Sequence, residues 1–208
     1  MNIAIIGITG KSGHLIAAEA AKRGHQVTGI VRNKQKYNGN AIEKDIMTLT
    51  AQDLSQFDVV VQATGYWTPD TLHLHKDGLI HVAQQLRNSS TRLFVVGGAS
   101  SLYIDKDHTL QRFNTPDFPE AYKPVAGAMK EGLNALRTFS DVNWTYISPA
   151  DEFDAEGSEG NEYQIGGEEF IANAEGRSYI SYADYANAFV DAIENNNHTR
   201  QRLSVIQK

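Results

Sequence analysis

Apolar runs with few polar interruptions recur along this chain, separated by stretches of helical period. Ile3-Ala4-Ile5-Ile6 opens the series, and residues 25–32, 57–65, 92–102 and 142–147 repeat it in longer, less pure form. A strand that is apolar at successive positions is buried on both faces, as in a parallel sheet covered by helices on each side. Shorter strands are predicted at 41–46, 178–181 and 202–206. Helices are predicted from Ser12 or Gly13 to residue 23, with Gly24 as the left-handed stop, and over 70–87, 120–139 and 182–194. In the second of these Leu72, Leu79, Ile80, Ala83 and Leu86 fall largely on one face, and in the third Pro124 is tolerated near the first turn. A brief helical turn is expected at 50–55. Strand and helix in alternation predict an α/β fold, a single doubly wound parallel-sheet domain covering 1–208 with a short C-terminal excursion over 151–180.

The first strand runs into Gly7-Ile8-Thr9-Gly10-Lys11-Ser12-Gly13-His14-Leu15, one residue longer in its first gap than the G-x-G-x-x-G fingerprint of dinucleotide-binding turns. Glycines at these steps let the backbone approach phosphate oxygens. The unpaired N–H groups and positive dipole end of the following helix then face the anion. Three glycines alone are a weak motif. A buried strand before them, an Ala-rich helix behind them and a second strand soon after favour a pyrophosphate cradle over a bare turn. The exit of the second strand sets cofactor choice, since a carboxylate there binds the ribose 2′-hydroxyl of NAD and an arginine accommodates the 2′-phosphate of NADP. Arg32, Asn33, Lys34 and Lys36 stand there without an acid among them, which favours NADPH over NADH; the alternative is a solvated basic loop.

Composition narrows the partners. With 208 residues, 41% of them hydrophobic, the chain suits one sizeable core. A net charge of −6 provides no field to draw in a polyanion, so nucleic acid is not an expected partner. The absence of cysteine excludes disulfides and thiolate metal sites. An opening core strand where a leader peptide would be basic and then apolar, and no apolar run of bilayer length, predict a cytoplasmic protein without a membrane partner. Whether it is a monomer or a homodimer is left open by the sequence. His73, His75 and His81 lie in one predicted helix, where neighbours two apart diverge, so no metal site is expected. Residues 151–169 carry eight carboxylates and no Lys or Arg. That composition predicts a solvated excursion, with a hairpin carrying Tyr163-Gln164-Ile165, serving either as a lid or as plain soluble surface.

The chain resembles, over nearly its whole length, the atypical short-chain dehydrogenase/reductase proteins with an NAD(P)-binding Rossmann fold, in their NADH-flavin reductase-like branch. The resemblance rests on residues 7–13, on Val96-Gly97-Gly98-Ala99-Ser100-Ser101-Leu102, on Trp144-Thr145 leading to Ser148-Pro149-Ala150, and on Ile180-Ser181 followed by Asp184-Tyr185-Ala186. It is similar also to flavin/biliverdin reductases and NmrA-type redox sensors. The resemblance implies that Gly7, Thr9, Gly10, Lys11, Ser12 and Gly13, with His14 and Leu15 behind them, hold the pyrophosphate. It implies Arg32 with Asn33 for the adenosine 2′-phosphate, Asp45 and Ile46 for the adenine, and Ala63, Thr64 and Gly65 for the ribose side. Ser148 and Pro149 would flank the nicotinamide, and Ser100 or Ser101 would face substrate. Structural alternatives exist: Asp45 can cap a turn, Thr64 can satisfy a strand-end carbonyl, and Ser100 or Ser101 can cap a helix.

The wider superfamily uses a Tyr with a Lys four positions later to protonate the product as hydride arrives. None of the nine tyrosines here has Lys at that spacing; Tyr122 meets Ala126. Hydride addition to a ketone builds a localised alkoxide that needs a positioned acid, whereas a reduced flavin or quinone is a delocalised anion that takes its proton from water. The expected activity is therefore NADPH-dependent hydride transfer to a flavin, quinone or similar acceptor, with Ser100, Ser101 and Tyr122 as hydrogen-bonding positioners. The alternatives are a non-catalytic NADP(H)-binding redox sensor and, third, a nucleotide-sugar epimerase or dehydratase.

Overall fold

The computed structural model describes residues 1–195 and 197–208. Its first half runs β1 (Asn2–Ile6), α1 (Lys11–Lys22), β2 (Gln26–Val31), β3 (Ala41–Glu43), the one-turn α2 (Ala51–Leu54), β4 (Val59–Gln62) and α3 (Leu74–Gln85). β5 (Arg92–Val96), α4 (Lys123–Leu136), β6 (Asn143–Ser148), β7 (Glu152–Asp154), β8 (Tyr163–Gly166), β9 (Tyr179–Ser181), α5 (Tyr182–Asn195) and β10 (Gln201–Gln207) follow. Among the described residues, eight strands form one sheet in the order β3-β2-β1-β4-β5-β6-β10-β8, parallel apart from β8, which runs antiparallel to β10. No helix among the described residues is long and apolar enough to cross a membrane.

Side-chain alternation explains why the strands read as continuous apolar runs. Ile3, Ile5, Val59, Val61 and Phe94 pack on the α1 and α5 side, while Ala4, Ile6, Val60, Leu93 and Val95 pack on the α3 and α4 side. α1 closes at Gly24 (φ +83°), where the His25 and Gly24 N–H groups return to the Ala20 and Ala21 carbonyls at 3.0 and 2.9 Å. The chain moves outward from β1 through β2 to β3, then restarts at β4 and moves the other way. Strand order thus reverses between β1 and β4, and a crevice opens beyond their carboxyl ends.

Local chemistry corrects several predicted boundaries. The third strand ends at Glu43, because Asp45 caps a 3₁₀ turn instead, its Oδ1 accepting the Met47 N–H at 2.9 Å. The helix expected from residue 70 begins at Leu74; residues 68–73 form turns in which the Thr71 hydroxyl donates to the Thr68 carbonyl at 3.1 Å. The expected hairpin around Tyr163 does not form. β8 instead pairs with the distant β10, Ile165 opposite Val205, while β7 pairs with β9. The acids of 151–169 meet bases from elsewhere: Asp151 with Arg112 (2.9 Å), Glu152 with Arg177 (2.8 Å), Glu162 with Lys208 (3.0 Å) and Glu168 with Arg137 (2.7 Å). This stretch is an edge strand and a side ladder joined to the body by ion pairs, each worth little by itself at the surface.

Candidate functional site

The glycine turn separates into glycines that close the fold and one that opens onto solvent. Gly7 adopts φ +84°, and a Cβ there would stand 2.6 Å from the Ala63 carbonyl oxygen; one on Gly13 would stand 2.3 Å from the Gly7 carbonyl oxygen. Both are required for strand, turn and helix to pack at this distance. Gly10 is different: it is exposed, extended (φ −79°, ψ 164°), and a Cβ there would have its nearest neighbour, the Gly7 oxygen, at 3.2 Å. It is the N-cap of the 12-residue α1, which has no side-chain cap and no acid in its first turn. The first i→i−4 bond runs from the His14 N–H to the Gly10 carbonyl at 2.9 Å. The N–H groups of Lys11, Ser12 and Gly13 precede it and have no intrahelical acceptor. Uncapped donors at a positive helix end, over a turn without side-chain bulk, fit the pyrophosphate of a dinucleotide.

Beside the turn lies a crevice of about 210 Å³. Gly7, Thr9 and Gly10 form its floor, Ile30, Val31 and Arg32 one wall, Lys44, Asp45 and Ile46 another, and Ala63, Thr64, Gly65, Tyr66 and Leu74 the far side. A second recess of about 290 Å³ shares Thr9, Val31 and Arg32 and adds Asn33 and Lys36. The residues expected at the adenosine end thus converge from four strand ends. Arg32 is exposed and unpaired among the described residues. Asn33 and Asp45 also do local structural work, the Asn33 Oδ1 accepting the Gln35 N–H at 2.9 Å as Asp45 accepts that of Met47. Sequence reasoning missed Lys44, Tyr66 and Leu74. Lys44 is adjacent to Asp45, but nothing in the sequence shows its ammonium held 2.6 Å from Asp53. That ammonium, with the hydroxyl and N–H of Thr50, lowers the Asp53 carboxyl to about 2.

Other expected residues do not reach the crevice. Leu15 packs against the core between α1 and α5, and His14 is exposed on the helix; neither is among the lining residues. Ser148 is fully buried, its hydroxyl donating to the Gly98 carbonyl at 2.8 Å and accepting from Arg202 Nε at 2.9 Å. Strand alternation puts it on the same face as Tyr146, so its hydroxyl is not available to a nicotinamide; Pro149 beside it is buried as well. Ser101 is only 4% exposed, its carbonyl taking the Arg202 Nη1 and Gln111 Nε2 groups at 2.9 and 3.1 Å, and it is not among the crevice-lining residues. Ser100 is half-buried, its carbonyl accepting the Phe113 N–H at 2.7 Å. Tyr122 is 56% exposed in the turn before α4, outside the crevice lining.

Behind Thr64, a cavity of about 20 Å³ lies among Gln62, His75, Val96, Met129 and Tyr146, room for one water. Gln62 Oε1 is buried there without a partner among the described residues. Burial pushes the Tyr146 phenol above its ordinary range and the His75 imidazole below its own. His75 Nε2 lies 2.9 Å from the Tyr66 carbonyl oxygen and 3.3 Å from the Tyr66 N–H nitrogen, fixing that loop from beneath.

A doubly wound parallel sheet with an uncapped glycine-turn helix at its reversal point is a Rossmann-type nucleotide-binding protein. The family model described as NAD(P)H-binding matches residues 7–196, and the chain belongs to that family. YwnB of Bacillus subtilis is 44% identical over 214 residues, an alignment covering 100% of this chain and 99% of YwnB. A crystal structure from Streptococcus pneumoniae, named provisionally as an NADH-flavin reductase, is 45% identical, with 100% of both chains covered and a TM-score of 0.96. A Bacteroides thetaiotaomicron structure named provisionally as an epimerase is 26% identical, covering 99% of this chain and 96% of its own, with a TM-score of 0.87.

Proposed function

We propose that this protein binds NADPH and delivers hydride to a planar acceptor of the flavin or quinone class. The observation that carries the cofactor assignment is the unpaired Arg32 in a crevice whose floor is the uncapped start of α1. The nicotinamide, when bound, supplies the hydride; the chain's part is to hold and orient it. The N–H groups of Lys11, Ser12 and Gly13 take the pyrophosphate, Arg32 takes the 2′-phosphate, and Asp45 and Ile46 border the adenine. Ala63, Thr64 and Gly65 give the ribose side a wall with little side-chain bulk.

The acceptor class rests on the Tyr–Lys pair that the chain does not carry. Tyr122 is followed at the fourth position by the buried Ala126, the Tyr146 phenol is enclosed, and the Ser148 hydroxyl is committed to Gly98 and Arg202. The Tyr66 phenol lines the crevice but has Asp70 four positions on where a Lys would assist it, so a localised alkoxide lacks the paired acid it needs, whereas a delocalised anion takes its proton from solvent. The provisional name of the Streptococcus relative supports the same reading. The test is loss of nicotinamide absorbance when purified protein, NADPH and either FMN or menadione are mixed. Turnover with these acceptors and none with simple ketones supports the proposal. Tight nucleotide binding with no turnover on any acceptor would assign the protein to redox sensing instead.

A further inference from the structure

Two residues beyond Gly65, just outside the crevice lining, stands an aromatic side chain that the proposed function leaves unused. Trp67 is 70% exposed, the most exposed of the large apolar side chains among the described residues. An indole left in water is an unused stacking surface unless something covers it. Its position is not arbitrary. A Cβ built on Gly65 would stand 3.1 Å from Trp67 Nε1, so the pyrrole edge of the indole folds back over the bare Cα of a residue that lines the crevice. Between them Tyr66 lines the same crevice, its ring edge-on to His75 with centroids 5.3 Å apart. The backbone of Tyr66 is tied through its carbonyl to Nε2 of the buried His75 imidazole, which donates to it at 2.9 Å. The segment carrying Trp67 is therefore held from below by α3 while its indole faces outward, the arrangement of a preorganised platform.

We propose that Trp67 is a stacking wall for the bound ligand, closing over a planar heteroaromatic ring in or beside the crevice. This rests on the nucleotide-binding reading above. The ring chemistry is shared by the adenine and nicotinamide of the dinucleotide and by an isoalloxazine acceptor. All present a π-face to an indole, and such stacking is tolerant of ring identity. Gly65 belongs to the same device, because a Cβ there would press on the indole at 3.1 Å and make it give by a few tenths of an ångström.

The chain has two tryptophans, and the other, Trp144, is buried with its Nε1 donating to the Phe139 carbonyl at 3.3 Å. It serves as a constant emission background. Wild type, Trp67→Phe and Trp67→Ala are titrated with adenosine 2′,5′-bisphosphate, NADP⁺ and FMN, following indole emission and calorimetric heat in parallel. The expected result is emission that falls in step with heat in the wild type and in neither variant. The Kd should rise about tenfold in Trp67→Ala and stay within about threefold of wild type in Trp67→Phe. Quenching by the bisphosphate identifies the ring as adenine, quenching by NADP⁺ but not the bisphosphate identifies nicotinamide, and quenching by FMN alone identifies the acceptor. Saturating heat with unchanged emission and an unchanged Kd in Trp67→Ala overturns the stacking role and leaves nucleotide binding standing. No heat from any of the three ligands overturns the nucleotide reading itself. Because Trp67 is largely solvated, its replacement has little folding cost to confuse the comparison.

Discussion

Replacing Gly10 with aspartate separates binding from folding at a single atom position. Gly10 is already extended at φ −79° and ψ 164°, a conformation open to any L-residue, and the added Cβ meets one close neighbour, the Gly7 oxygen at 3.2 Å. Aspartate is among the best N-cap residues, so its carboxylate would accept the N–H groups that α1 leaves uncapped. The cap and dipole terms are each worth a few tenths to about 1 kcal/mol, set against the tight Cβ contact, so net stability should move by no more than about 1 kcal/mol. In a chain this size that is a shift of roughly 2–4 °C in Tm. Binding responds differently. The same carboxylate occupies the pyrophosphate donors and adds like charge at about 4 Å, worth about 4 kcal/mol per charge pair at an effective dielectric constant near 20. Even heavily screened, a loss of about 3 kcal/mol remains, more than about a hundredfold in Kd. Thermal melting and calorimetric titration with NADP⁺ on Gly10→Asp provide the check. A variant that melts normally and binds NADP⁺ within about threefold of wild type would refute the assignment of this helix start as the phosphate cradle.

Gly13→Ala should cost stability as well: its Cβ would lie 2.3 Å from the Gly7 oxygen, so backbone must move, costing about 1–3 kcal/mol in urea denaturation. Arg32→Ala should weaken NADPH binding by about tenfold or more while leaving NADH within about twofold, since only the 2′-phosphate loses its partner; competitive titration distinguishes the two. His75 sets an acid limit on stability. Burial lowers its pKa from the ordinary 6.5, partly opposed by the hydrogen bond to the Tyr66 carbonyl. The unfolded chain therefore takes a proton first as pH falls, so this contribution is complete above about 6.5 and declines towards the lowered native value. Denaturation curves measured from about pH 7.5 to about pH 5.5 should show a steeper loss for wild type than for His75→Gln.

The parts of the molecule that local sequence determines were readable from it. A doubly buried strand cannot hide its apolar run, Gly24 had to stop α1, and Arg32 follows directly from the end of β2. The pairing of β8 with β10 and of β7 with β9 was not readable, because short strands of this kind are fixed by distant partners rather than by their own period. The stretch 151–169 reads as a solvated excursion for the same reason: the bases that meet its acids, Arg112, Arg137, Arg177 and Lys208, all lie outside it. Ser148 sat at a strand exit suited to the nicotinamide, and Ser101 beyond one suited to the substrate. Which way a hydroxyl faces, however, depends on a buried Arg202 from the last strand, whose guanidinium gathers Ser148, Gly98 and Ser101. Lys44 and Tyr66 reach the crevice from loops and Leu74 from the first residue of α3, placements that no motif encodes.

The most direct test is calorimetric titration of the wild-type protein with NADPH and, separately, NADH. The account predicts saturable one-to-one heat for both, with NADPH the tighter by about tenfold or more because of Arg32. Absence of heat with either dinucleotide contradicts it at its root.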